Sequence, residues 1–285
     1  MRVMPAGETC GAYLEDVDLD VLTPAQFEQI LDAWQRYRVI GVRGQTLTAE
    51  AFHRFASRLG RPQPHVLDQY HHPDNADILI LSNVIEADGR PRGLADGGSY
   101  WHSDYSYKTL PAKATLLYSL ECPGDGGDTL FIDMARAYAG LPGALKERLR
   151  GLYAMHDYEY RHRQQISAHG VRRPLTAEQK ALTPQVRHPV VRRHPDTGEP
   201  ALFINPGFTV CFEGMDEAQS SALRDELFAH VLRPEHVFAY KWRRGDVVLW
   251  DNRALIHSAT QGYRENRTLW RITVLAEAPI PYAEA

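Results

Sequence analysis

The segment Trp101-His102-Ser103-Asp104-Tyr105-Ser106-Tyr107 places an imidazole and a carboxylate two residues apart. In a run that reads as a strand, both side chains would leave one face about 6 to 7 Å apart along the chain, close enough to share a metal ion. A third, neutral imidazole from a distant strand would complete a face of two histidines and one carboxylate. That is the usual ligand set of non-haem iron(II) oxygenases, with positions left open for a co-substrate and O2. The pair alone is weak, because 13 histidines make chance neighbours of acids common. His257, in WDNRALIHSAT, ends an apolar pair at the start of an expected strand. By itself it reads first as a satisfied core histidine.

Downstream of His257, NRTLWRITVLAE alternates as a strand does. Arg267 and Arg271 are separated by an even number and share one face, while Thr268, Trp270, Ile272 and Val274 line the other. Two cations aimed the same way are costly if buried alone, so they call for anions, either Asp and Glu side chains or ligand carboxylates. Arginine grips a carboxylate with two parallel hydrogen bonds. By spacing alone, a structural salt bridge or a solvent-facing role remains open.

These residues need a scaffold, and the rest of the chain predicts one. Thr23-Pro-Ala-Gln26 is a capping box with proline at the first helical position, opening a helix with Phe27, Ile30, Leu31 and Trp34 on one side. RVIGVRG follows as a strand. A second helix starts after Thr48, with Phe52, Phe55, Ala56 and Leu59 on one face, and stops at Gly60. From Ile78 onward come short apolar or alternating runs between turn residues: ILILSNVIEA, SYWHSDYSY, ATLLYSLECP, DTLFIDM, ALFINPGF, DVVLWDN and TLWRITVLAE. Many short strands of this kind predict a β sandwich or barrel. Helices interrupt it at Leu141 to Leu149, after the capping box Thr176-Ala-Glu-Gln179, and from Asp216, with Leu223, Leu227 and Val231 on one side. Residues 155–187 are rich in Arg, His and Gln without clear periodicity, and read as an insert or active-site lid. No repeat or linker divides the chain, so residues 1–285 are expected to form a single domain.

Composition narrows the function. The chain of 285 residues has a net charge of −4, which gives no general attraction to nucleic acid or anionic membranes. No apolar run approaches the roughly 20 residues of a membrane span, and the first residues lack the apolar core of a secretory signal, so the expectation is a soluble, cytoplasmic protein. Cys10, Cys122 and Cys211 are odd in number and widely spaced, against a disulfide framework or a thiolate zinc site.

WHSDYSY with ATLLYS, GGDTLFIDM, and WDNRALIH with RTLWR together resemble the TauD/TfdA family, the taurine and 2,4-dichlorophenoxyacetate dioxygenases that depend on iron(II) and 2-oxoglutarate. HPVVRRHPDTGEPALFINPGF is similar to the family's middle section. The resemblance implies a mainly β fold with flanking helices, a double-stranded β-helix (jelly roll, cupin-like) with helical inserts. It implies that His102, Asp104 and His257 bind Fe(II) and carry the catalysis. It further implies that Thr129 and Arg267 hold the far carboxylate of 2-oxoglutarate, that Arg271 anchors an anionic group of the primary substrate, and that His65 is a second polar contact. Tyr107 is a candidate for the substrate wall. Thr129 could equally begin a strand, His65 could be a surface loop residue, and Tyr107 could be core.

The implied reaction consumes O2 and 2-oxoglutarate, releases succinate and CO2, and hydroxylates a C–H bond of a small organic anion such as a carboxylate or sulfonate. Asp104 favours hydroxylation over halogenation, because related halogenases have a small residue there. Gly98 stands four before His102, where taurine enzymes carry a polar residue, and weakens an assignment to taurine. Desaturation or oxidative rearrangement would use the same triad. The alternatives are a zinc hydrolase, which would not need Thr129 or the arginine pair, and a non-catalytic metal- or small-anion-binding jelly roll, against which the intact triad counts. A homodimer or homotetramer is expected.

Overall fold

The structure is a computed structural model. It describes residues 1–95, 97–169 and 174–283, and the backbone alone at 165–169. Eight strands form a long sheet in the order Arg2–Pro5, Ala12–Glu15, Val39–Val42, Val247–Asp251, Ala112–Glu121, Thr268–Leu275, Asn75–Ser82 and His71–His72. Facing it are Val237–Tyr240, Thr129–Asp133 and Leu255–Ala259. Pairing is antiparallel throughout these two sheets except between Ala12–Glu15 and Val39–Val42. With helices outside, this is the jelly roll that the family resemblance implies, and a form of the β sandwich that the strand patterns predict.

Alternation along each central strand builds two apolar layers. Leu117, Val248, Trp250 and Leu269 of the long sheet meet Phe131, Phe238 and Leu255 of the short one. Their neighbours Leu116, Tyr118, Leu249, Ile272 and Val274 point the other way and pack under the first two helices. Each buried Leu, Ile or Phe contributes roughly 1.5–3 kcal/mol, so a slip of one residue, which exchanges the layers, is strongly disfavoured.

The helix starts are set by caps. The Thr23 hydroxyl accepts from Gln26 N–H at the head of Pro24–Tyr37, and that helix buries Phe27, Ile30, Ala33 and Trp34. Thr48 caps Ala49–Ser57. This helix ends three residues before the predicted Gly60, with the Leu59 N–H bonded to Ala56 O as a tighter turn of the 3-10 type. Asp216 and Gln219 form the capping box of Glu217–Val231, which lays Leu223, Leu227 and Val231 over the short sheet.

One expectation needs correction. SYWHSDYSY is not a strand: only His102 makes a β-bridge, and residues 104–107 turn, with Tyr105 at φ 52°. Ser103, Asp104 and Ser106 are turn-forming residues, and that chemistry outweighs the alternating pattern. Tyr107 therefore lies on a turn. The excursion at 155–187 contains a helix, Tyr158–His169, and a capped short helix, Ala177–Ala181, between the paired strands Tyr153–His156 and Val186–Pro189. YEYRHRQQISAH carries no apolar stripe, which is why its periodicity is silent. Residues 170–173 of this excursion lie outside the described residues. Among the described residues, no helix is long and apolar enough to cross a membrane.

Candidate metal and co-substrate site

Two backbone hydrogen bonds assemble the imidazoles. His102 N–H donates to His257 O at 2.9 Å and His257 N–H to His102 O at 2.8 Å, so a bridge residue faces the strand Leu255–Ala259. The rings lie 4.2 Å apart, centroid to centroid. The turn at Tyr105 brings Asp104 back towards both. Its Oδ1 is 3.4 Å from His102 Nε2 and its Oδ2 is 3.6 Å from His257 Nε2. One ligand atom from each of the three lies within 4.8 Å of the others, and all three residues are buried.

The donor set fits a metal. Tyr100 O can only accept, so His102 Nδ1, 2.7 Å away, carries the proton and leaves the Nε2 lone pair free for an ion. Burial pushes the Asp104 carboxyl up, but Arg271, His257 and His102 together outweigh it and hold it well below the usual carboxylate range. His257 is pushed well below its ordinary value, by burial and then by His102. An ionised carboxylate and neutral imidazoles are the protonation states that ligation requires.

A second network holds Asp104 in place. Thr115, on the strand Ala112–Glu121, donates its hydroxyl to Asp104 Oδ2 at 2.6 Å. Asn252, in the turn before the His257 strand, donates its amide to Thr115 at 2.9 Å and accepts the Asp104 N–H at 3.1 Å. Sequence reasoning singled out neither Asn252 nor Thr115 as a site residue. The sole signal in the chain was that buried-strand Thr and turn Asn are polar, and pairing them needs the tertiary structure.

The pocket beside the imidazoles is lined by Thr129, Arg267, Arg271 and Leu117, with His102 and His257 at one side. Thr129 does begin a strand, and it also faces this pocket. Its oxygen accepts the Trp242 indole N–H at 3.0 Å, which leaves the hydroxyl proton free to donate. Asn83 brackets the Arg267 backbone, accepting its N–H at 2.8 Å and donating to its carbonyl. Gly127 lies under the Arg267 shank, where a Cβ would stand 3.3 Å from Cδ and Nε. The Arg267 side chain is thus fixed, and 7% exposure leaves little water. Its Nε has no partner, it makes no ion pair among the described residues, and burial pushes its pKa down. A buried guanidinium without a counter-charge is a receptor for an anion.

Arg271 lies on the same face, as the even spacing predicts, and lines both this pocket and a second one. Its Nη2 donates to Asp104 Oδ1 at 2.8 Å. The second pocket is walled by Leu67, Leu94, Tyr105, Tyr107, Tyr158 and Phe208. His65 joins it, with its ring stacked on Tyr105 at 6.2 Å. The His65 Nδ1 accepts from Leu67 N–H at 3.2 Å, so Nε2 carries the proton. Burial, then Arg271 and Lys108, lower its pKa to about 3, which makes it a neutral donor. Tyr107 packs 4.6 Å from Tyr158 and 4.9 Å from Phe208, and is wall and core at once. Tyr158 and Phe208 were not singled out in the sequence.

The model of the taurine catabolism dioxygenase TauD, TfdA family matches residues 3–273. An alpha-ketoglutarate-dependent sulfate ester dioxygenase of Pseudomonas putida is 33% identical over 98% of this chain and 91% of its own length. Pentalenolactone F synthase of Streptomyces avermitilis is 29% identical over 96% and 93%. Among solved structures, a taurine dioxygenase from Burkholderia xenovorans superposes with a TM-score of 0.80 at 30% identity, covering 98% of this chain and 90% of that one. AAD-2, solved with Mn(II) and N-oxalylglycine, gives 0.79 at 25% identity and 98% of each chain.

Proposed function

We propose that this chain, which belongs to the TauD, TfdA family, oxidises a C–H bond of a small organic anion with an apolar or aromatic body. It is an Fe(II)- and 2-oxoglutarate-dependent dioxygenase. In our reading His102, Asp104 and His257 hold the iron. Thr129 and Arg267 take the far carboxylate of 2-oxoglutarate by hydroxyl and guanidinium, and the buried Arg267 guanidinium, with no partner at Nε and no ion pair among the described residues, is the observation that carries this assignment.

When bound, the iron and 2-oxoglutarate supply the O2-dependent oxidation that releases succinate and CO2. The chain's own part is to bind, orient and shield. Arg271 presents its charge to the anionic group of the primary substrate, and His65 Nε2 donates a second hydrogen bond beside it. The apolar remainder lies among Leu67, Tyr107, Tyr158 and Phe208, which keep water from the reacting carbon. A sulfate ester or sulfonate with a hydrocarbon chain fits this division, and the sulfate ester dioxygenase of P. putida supports it. Hydroxylation is the primary outcome. Desaturation or rearrangement of an anionic natural product is the second reading, and it draws on the similarity to pentalenolactone F synthase. A homodimer or homotetramer in the cytoplasm belongs to the same proposal, and three free cysteines accord with a reducing compartment.

The test is succinate release from a panel of alkyl and aryl sulfates, sulfonates and carboxylates, beside neutral alcohols of the same skeletons. Anions with a hydrocarbon body should stimulate turnover most. Equal stimulation by the neutral alcohols would contradict an anion site at Arg271.

A further inference from the structure

We infer that Asn252 is a positioning residue that, through Thr115, fixes the rotation of the Asp104 carboxylate at the metal site. The inference rests on Asp104 being the carboxylate ligand.

The hydrogen bonds around Asn252 leave no freedom of direction. Its Oδ1 receives two groups that can only donate, the Asp104 backbone N–H at 3.1 Å and the Trp250 indole N–H at 3.1 Å. The other end of the amide is therefore Nδ2, and it donates to Thr115 Oγ1 at 2.9 Å. With that acceptor position filled, the Thr115 hydroxyl proton turns to Asp104 Oδ2, 2.6 Å away. The chain of bonds leaves Asp104 at its backbone N–H and returns to it at its carboxylate. Asn252 also accepts the Ser103 hydroxyl on its carbonyl at 2.9 Å, which fastens the residue between the two ligands of the turn.

Every member is buried: Asn252 and Thr115 are 0% exposed and Asp104 is 2%. Water is excluded from replacing a lost partner, so each bond is direct and its loss uncompensated. The chemistry is also specific to the amide. Aspartate at 252 would accept but not donate, and the Thr115 proton would then turn to it and away from Asp104. Alanine would leave two buried N–H groups without an acceptor and free the Thr115 hydroxyl from the donor that sets its direction.

Location gives the network its reach. Asn252 sits between the strands Val247–Asp251 and Leu255–Ala259, Thr115 on the neighbouring strand of the long sheet, and Asp104 on the turn after His102. One side chain thus ties the His102–Asp104 turn to the turn between the two sheets that leads into the His257 strand. Supporting hydrogen bonds of this kind are worth about 10- to 100-fold in metal affinity.

The experiment uses the full chain and measures anaerobic iron(II) affinity by chelator competition, with melting temperature and the visible band of the 2-oxoglutarate complex as further readouts. Thr115→Val preserves shape and removes only the hydroxyl. It should weaken iron binding about 10- to 100-fold and shift the band, and Thr115→Ser should restore both. Asn252→Asp should weaken binding at least as much. Folded Thr115→Val and Asn252→Asp proteins that bind iron as the wild type does would overturn the inference. If Asp104→Ala itself left iron affinity unchanged, the ligand assignment would fall, and this inference with it.

Discussion

Arg271 Nη2 stands 2.8 Å from Asp104 Oδ1, across 167 positions of sequence. A guanidinium on the Thr268–Leu275 strand thereby meets the carboxylate of the His102–Asp104 turn, and it is the strongest influence opposing the upward push of burial on that carboxyl. The same guanidinium lines both pockets, so the proposed substrate anchor and the proposed metal ligand are electrostatically one unit.

Replacing Arg271 with Ala should raise the KM for the anionic substrate about 10- to 100-fold, the worth of a lost hydrogen bond to a charged group. The requirement for 2-oxoglutarate should move far less. Lysine should rescue only in part, because it presents a point charge and not a fork. Substrate-stimulated succinate release at saturating 2-oxoglutarate measures the first quantity, and a 2-oxoglutarate titration the second. An equal effect on both would break the division of labour between the two arginines.

Arg267→Ala should show the converse. Its buried guanidinium has no ion pair to lose among the described residues, so folding should survive while the KM for 2-oxoglutarate rises by a similar factor. Melting temperature alongside the two KM values checks this. A variant that unfolds without any selective loss would mean that Arg267 serves packing alone.

Gly98 has φ +81° and Gly89 has φ +83°, so alanine carries similar backbone strain at either. They differ in what a Cβ would meet: His102 Cε1 at 3.2 Å for Gly98, and nothing within 4 Å for Gly89. Gly98→Ala should therefore weaken iron binding several-fold, whereas Gly89→Ala should lower stability only, by about 1 kcal/mol. Chelator competition and denaturant melts on the pair separate the two effects.

Acid should weaken the fold through His188. Burial, then Arg192, pushes its pKa down to about 4, while its Nε2–H donates to Lys108 O at 2.9 Å. A histidine with a depressed folded pKa takes up its proton only in the unfolded chain between the two values. Its contribution is complete above about pH 6.5 and declines as pH falls towards about 4, by about 2 kcal/mol at pH 5. His188→Gln keeps a donor for Lys108 and should narrow the difference between urea midpoints at pH 7.5 and pH 5. An unchanged difference would assign the acid sensitivity elsewhere.

Much of this architecture was legible because it follows from local rules. The parity of residues in NRTLWRITVLAE predicted which side chains face which layer, and the same parity put Arg267 and Arg271 together. Thr23 and Thr176 marked helix starts that the structure contains. The turn at Tyr105 was missed, since the alternation in WHSDYSY masked its turn-forming Ser103, Asp104 and Ser106, and the bridge of His102 to His257 that sets it is tertiary. The ring of bonds through Asn252 and Thr115 was invisible for the same reason: its partners are separated by 137 positions and only the sheet brings them together.

The central claim is that one iron and one 2-oxoglutarate meet at His102, Asp104 and His257 beside Thr129 and Arg267. Protein mixed anaerobically with iron(II) and 2-oxoglutarate should develop a weak visible metal-to-ligand charge-transfer band that saturates with 2-oxoglutarate. A folded protein shown to carry iron, yet giving no such band, would contradict the account.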